Sequence, residues 1–135
     1  MIGTLTPPQA LQVLYVQLLG RLACQAKDKL CVLLLSYVFD GKYIYSRSVD
    51  AKKIDILRSH SRVCFQVDVV DNLSSWRSVI LWGRYEELIT PGDRAKASQL
   101  LDDRFGQMPA GDTANAVYFR ISIDRITGKF ENAGR

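Results

Sequence analysis

Six segments with the character of β-strands constrain the fold of this chain more than any other feature. Residues 62–70 alternate apolar with polar side chains, as a half-buried strand does. Asp40 and Gly41, a pair typical of hairpin turns, lie between two further segments rich in β-forming residues. The six predicted strands are 21–25, 30–39, 42–48, 62–70, 76–88 and 116–126.

The order of these segments predicts an antiparallel sheet, because hairpins outnumber β-α-β crossovers. Sheets of this size commonly close, which removes their exposed edges. We therefore predict a mainly β fold, a six-stranded antiparallel β-barrel with about three peripheral helices. At 135 residues the chain is one domain long, and we expect that domain to span residues 1–135.

The first predicted helix covers residues 7–19. Thr6 can cap it, Pro7 suits its first position, and Gln9 completes a capping box. Gly20 is placed to end it.

Two further helices are predicted from capping residues. Asp50 can cap one that carries Ile54 and Leu57 at helical spacing, and Thr90 begins another that stops near Gly106. In the strand 76–88, Gly83 marks an expected bend.

Composition indicates a cytoplasmic protein and leaves the kind of partner open. No apolar run approaches the roughly 20 residues that a membrane-spanning helix needs, and the N-terminus lacks the pattern of a signal peptide. Cys24, Cys31 and Cys64 are odd in number without C-x-x-C spacing, which favours free, buried thiols in a reducing compartment. With one histidine, we predict no metal site. The net charge of +4 and pI near 9.1 suit nucleic acid, a phosphorylated small molecule or no anionic partner in particular, so charge alone does not decide.

The most informative stretch for function is 43–53. Strand alternation places Ser46 and Ser48 on one side, and the following helix carries Lys52 and Lys53 in its first turn. Hydroxyls, backbone N–H groups at the helix start and an ammonium group would converge there, which suits a phosphomonoester dianion. Asp50 competes for the same N–H groups if it caps the helix. The alternative is a solvated helix start with exposed lysines.

Five blocks of sequence, in order, resemble a known family. They are 20–23 (GRLA), 32–41 (VLLLSYVFDG), 43–53 (YIYSRSVDAKK), 62–68 (RVCFQVD) with 76–84 (WRSVILWGR), and 118–121 (YFRI) with 126–128 (ITG). The pattern is similar to that of the pyridoxamine 5'-phosphate oxidase-like, FMN-binding split barrels. It is closest to their short flavin-nucleotide-binding, nitroimidazole-resistance-type subgroup.

This resemblance implies a split barrel that binds FMN at the interface of a homodimer. The strand around Leu34, Leu35 and Ser36 would line the isoalloxazine ring. The other cofactor contacts that the resemblance implies are Tyr45, Ser46 and Ser48 at the phosphate or ribityl chain, Lys52 and Lys53 at the phosphate, and Ser78 near the flavin.

The chain departs from the family pattern at three positions. Relatives often have proline at Leu34, histidine at Ser46 and glycine at Ala51. Loss of the histidine argues against a nitroreductase-like activity more than against flavin binding. The short C-terminal region argues against oxidation of pyridoxamine phosphate.

Three functions follow as hypotheses. The first is an oxidoreductase that passes electrons from a reduced nicotinamide cofactor to a small organic acceptor, with no side chain identified as catalytic. The second is a flavin-binding carrier or redox sensor without turnover. The third is a barrel that binds single-stranded nucleic acid through exposed aromatic residues. Haem or a deazaflavin, which related barrels bind, remain alternatives to FMN.

Overall fold

The computed structural model describes residues 1–132 and shows one antiparallel sheet with three α-helices. The strands are β1 (Ile2–Thr4), β2 (Leu19–Ala26), β3 (Lys29–Ser36), β4 (Val38–Phe39), β5 (Tyr43–Ser48), β6 (Arg62–Asn72), β7 (Ser75–Glu87) and β8 (Val117–Glu131). The helices are α1 (Pro7–Val16), α2 (Ala51–Ser59) and α3 (Pro91–Phe105), and a 3-10 turn covers Thr113–Asn115. The mainly β class is confirmed, with eight strands rather than the predicted six.

The sheet is an open barrel. Its strand order is β3-β2-β6-β7-β8-β5-β4, with β1 added to β8. Within residues 1–132 no ladder joins β3 to β4 or β5, so the barrel is split between β3 and the β4–β5 hairpin. The prediction of an antiparallel split barrel is therefore confirmed.

Gly83 lies where β7 changes register against β8. Trp82 pairs with Arg125 while Gly83 pairs with Ile123, so β8 holds one extra residue at this point. A Cβ atom at Gly83 would lie 1.8 Å from the backbone oxygen of Ser122. The expected irregularity at Gly83 is therefore present, and glycine is required because the neighbouring strand approaches so closely.

Helix α1 starts as predicted but ends earlier. The capping box is formed, with the Thr6 hydroxyl accepting from the N–H of Gln9 and the Gln9 side chain accepting from the N–H of Thr6. The predicted end near residue 19 is wrong, because the backbone is already extended at Gln17. Arg104 of α3 donates to the carbonyls of Val16 and Gln17, which supplies partners that the end of a helix lacks.

The predicted strand 30–39 is divided in two, and Gly20 belongs to β2 rather than to a helix end. Tyr37 separates β3 from β4. Its N–H donates to the carbonyl of Leu18 and its hydroxyl donates to the carbonyl of Leu14, at 2.8 Å. These bonds turn the chain from one end of the open sheet to the other.

Two apolar clusters hold the fold together. The larger fills the barrel and includes Leu22, Phe65 and Phe119, each fully buried. The smaller lies between α3 and the opposite face of β4, β5 and β8, around Tyr45 and Leu101. No helix within residues 1–132 is both long and apolar enough to cross a membrane.

Candidate functional site

The end of β5 is tied to the end of β3 through Ser46. This side chain is 1% exposed, and its hydroxyl donates to the carbonyl of Ser36 at 2.7 Å. Ser48, two residues on, faces the same way and accepts from the N–H of Asp50 at 3.1 Å. Ser48 thus keeps its own hydroxyl proton for another acceptor.

Asp50 caps α2. Its carboxylate oxygen Oδ1 accepts from the N–H groups of Lys52 and Lys53, at 3.1 and 3.3 Å. The N–H groups of Lys52 and Lys53, which the sequence predicted as donors to a phosphate, therefore already have an acceptor. An anion at this junction would be held by the lysine side chains and the hydroxyl of Ser48, with the helix end contributing little.

Lys53 reaches across the split of the barrel. Its ammonium nitrogen Nζ donates to the carbonyl of Leu34 at 3.1 Å, while Lys52 projects into solvent. Because an ammonium group has three donors, Lys53 can hold this carbonyl and still bind an anion. The bonds from Ser46 and Lys53 join the two sides of the split in place of a backbone ladder.

The outer edge of β3 carries outward-directed backbone groups. The carbonyls of Leu34 and Ser36 meet side chains across the split rather than β2. In an antiparallel pair a residue directs its N–H and its C=O to the same side, so the N–H groups of Leu34 and Ser36 face the split too. Leu34 is 52% exposed, whereas the side chain of Leu35 is buried in the barrel. The backbone N–H and C=O of Leu35 face β2, so a contact of Leu35 with the ring stays a prediction.

Tyr45 lies apart from Ser46, Ser48 and Lys53. Alternation along β5 directs it to the opposite face from Ser46, where α3 covers it and leaves it 1% exposed. Its hydroxyl is buried without a hydrogen-bond partner among residues 1–132, and Nζ of Lys96 lies 5.7 Å from the centre of its ring. A role for Tyr45 at a phosphate stays a prediction.

Ser78 lies on β7, separated from β3 by β2 and β6. Its hydroxyl meets the amide of Gln66 at 3.2 Å, and Asp68 is opposite it in the ladder. Within the described part of one chain, no contact joins Ser78 to the lysines, and its place near a flavin stays a prediction.

A row of small and apolar side chains crosses the solvent face of four strands. The register aligns Val32 with Ala23, Ala23 with Cys64, and Cys64 with Trp82. We call these four residues the apolar row. Val32 is 67% exposed and Trp82 41% exposed, and Leu34 flanks the row on β3.

The three cysteines are free thiols in the structure. Burial raises the pKa of Cys24 and, separately, that of Cys64. Thiols with raised pKa values stay protonated near neutrality and are poor nucleophiles. The prediction of free thiols is confirmed, but only Cys24 is buried, because Cys31 and Cys64 are partly exposed. Among the described residues no group of three acidic, cysteine or histidine side chains is placed to hold a metal ion.

Beside α2 the structure shows a cleft of about 350 Å³ that was not predicted. Its lining residues include Ser48, Ala51, Asp55, Arg58 and Asn115. Helical spacing could have placed Ala51, Asp55 and Arg58 on one face of α2. Nothing in the sequence brings Asn115 to them, because it comes from the turn that precedes β8.

Arg58 is fixed at this cleft by Glu87 of β7. The guanidinium binds the carboxylate through two bonds, of 2.7 and 2.9 Å. These hydrogen bonds lower the pKa of Glu87 and raise the pKa of Arg58, so both groups stay charged over the physiological range.

The open antiparallel barrel, with Lys53 reaching an edge strand across its split, defines a split-barrel protein. A family model described as pyridoxamine 5'-phosphate oxidase matches residues 7–130. The chain belongs to this family, as the sequence blocks predicted.

Individual relatives agree with this placement. An uncharacterized protein of Rhizobium meliloti, RA0666, is 30% identical, with 86% of each chain covered. The crystal structure of an FAD-binding protein from Mesorhizobium loti has a TM-score of 0.82 and 29% identity, covering 98% of this chain and 99% of that one. A candidate 5-nitroimidazole antibiotic resistance protein from Bacteroides thetaiotaomicron has a TM-score of 0.77 at 14% identity, covering 96% and 89%, and shows the shared fold alone.

Proposed function

We propose that this chain binds a flavin nucleotide across the split of its barrel. The ring would lie along the outer edge of β3, and its phosphate would lie at Lys52 and Lys53. FMN, the nucleotide that the sequence predicts, contains both of these parts. The similarity to an FAD-binding protein of M. loti, at 29% identity over nearly the whole chain, supports the proposal.

The observation that carries the proposal is the contact between Lys53 Nζ and the carbonyl of Leu34. It sets an ammonium group beside a strand edge whose N–H groups face the split. A flavin needs both features a short distance apart, because its ring carries carbonyl acceptors and its ribityl chain ends in a phosphate. Ammonium groups are common phosphate ligands, so the donors present fit the nucleotide.

The chain's own residues have distinct tasks in this proposal. Lys52 and Lys53 hold the phosphate charge, and the hydroxyl of Ser48 adds a donor. Backbone N–H groups at Leu34 and Ser36 orient the ring, and Ser46 holds the end of β5 against β3. A bound flavin supplies hydride and electron transfer chemistry, while the protein provides position and excludes water.

We further propose that the protein is a homodimer that buries the apolar row. Val32, Leu34 and Trp82 are each at least two-fifths exposed on one sheet face. Exposed apolar side chains along an edge strand are an aggregation hazard unless another surface covers them. A second copy would cover this face. It would also close from outside the outer edge of β3, which we call the ring site, as the family resemblance implies.

The activity we propose is that of an oxidoreductase, passing electrons from a reduced nicotinamide cofactor to a small organic acceptor in the cytoplasm. The free thiols are consistent with that compartment. No described side chain at the ring site is a general acid or base. Chemistry would therefore come from the flavin, and the protein would control access to it.

The test is a visible spectrum of the freshly purified protein, followed by titration with FMN and with FAD. We expect flavin absorbance and saturable binding of added flavin. Anaerobic NADH or NADPH should then bleach the bound flavin. Bleaching by neither donor would contradict the enzymatic part and favour a carrier or sensor. A colourless protein that binds neither flavin would contradict the proposal itself, and salt-sensitive binding of single strands would favour a nucleic-acid barrel.

A further inference from the structure

The cleft beside α2 lies on the opposite side of the helix from the ring site. At 100° per residue, Ala51, Asp55 and Arg58 share one face of α2, and Lys53 points about 160° away from Asp55. Ser48 lines the cleft, and Lys52 lies between the two sides. A ligand that passes from β3 over the first turn of α2 therefore enters this cleft.

The lining suits a nucleoside. Val49, Ile54 and Val117 supply apolar walls, and the volume of about 350 Å³ falls in the range of small-molecule sites. Asn115 brings an amide, whose NH2 group can donate to N7 of adenine and whose oxygen can accept from the N6 amino group.

The charges in the cleft favour hydroxyl groups over a further phosphate. Asp55 contributes an exposed carboxylate, the group that binds ribose hydroxyls in dinucleotide sites. The same charge disfavours an anion placed deep in the cleft. Arg58 is held by Glu87, so its flat guanidinium is fixed where it can stack on an aromatic base.

We propose that this cleft holds the adenosine of FAD, so that the chain binds FAD in preference to FMN. This inference rests on the flavin function proposed above and extends it. FMN would occupy the outer edge of β3 and the start of α2 at Lys52 and Lys53. FAD would add its second phosphate near Ser48 and its adenosine in the cleft.

The test compares dissociation constants for FAD and FMN by fluorescence titration. We expect the wild-type chain to bind FAD at least about tenfold more tightly, since stacking and two hydrogen bonds are gained. Asn115→Leu and Asp55→Asn should each weaken FAD binding about five- to tenfold and leave FMN binding unchanged. Both residues are exposed, so the variants should fold, which their thermal unfolding midpoints will check.

Asp103→Asn on α3 is the matched control, because it removes one carboxylate charge from an exposed position that does not line the cleft. It should change neither constant. If FMN binds as tightly as FAD, or if the FAD preference survives both cleft substitutions, the adenosine site is refuted while flavin binding stands. If neither flavin binds, the proposed function fails and this inference fails with it.

Discussion

Replacing Lys53 by methionine tests the phosphate end of the proposed site. The substitution keeps most of the length of the side chain and removes one ammonium group. Within residues 1–132 that group makes one bond, to the carbonyl of Leu34 at 3.1 Å, and has two further N–H donors. A charge-assisted hydrogen bond to phosphate contributes about 1.5–3 kcal/mol. FMN should therefore bind roughly ten- to a hundredfold more weakly.

The assay is titration of the chain with FMN, followed by the change in flavin fluorescence at fixed ionic strength. Lys42→Met is the matched control, because it removes the same charge from the exposed β4–β5 turn and should leave affinity nearly unchanged. The Lys53→Met variant should unfold at almost the wild-type temperature, because its bond to Leu34 is exposed. An unchanged affinity for FMN in a folded Lys53→Met variant would refute the assignment.

Three further predictions concern the fold and the assembly. Tyr37→Phe removes a fully buried hydroxyl that donates to a carbonyl near the end of α1. It should lower the free energy of unfolding by about 1–2 kcal/mol in denaturant titrations. No change would mean that water replaces the hydroxyl. Gly83→Ala should cost about 3 kcal/mol or more, because the added Cβ would meet the backbone oxygen of Ser122, whereas Gly92→Ala, with open space around it, should be tolerated. Val32→Lys should convert a dimer into folded monomers in sedimentation experiments, and a persisting dimer would place the interface elsewhere.

The sequence predicted those elements whose causes are local. Thr6 and Gln9 are three residues apart and form their capping box, and Asp50 caps α2 as expected. The end of α1 was misplaced because Arg104, from another helix, supplies partners for its last carbonyls. Tyr37 interrupts an apolar run that looks continuous, because it bonds to a helix 23 residues away in sequence.

The candidate site also has one part that the sequence predicted and one part that it could not. Ser46, Ser48 and Lys53 lie near one another in sequence, and the structure bonds the Ser46 hydroxyl and the Lys53 ammonium group to carbonyls of β3. The cleft depends on Asn115, which reaches α2 only once β8 has paired with β5. Local patterning could not reveal it.

The groups that face the split of the barrel belong largely to the main chain of β3. Every amino acid except proline carries the same amide and carbonyl, so mutation of a side chain there leaves this surface chemically intact. Selection on such a strand acts on the path of its backbone more than on its amino-acid sequence. Homologues can then exchange most of their residues along it, and proline, which relatives often have at Leu34, is the one replacement that removes a main-chain donor.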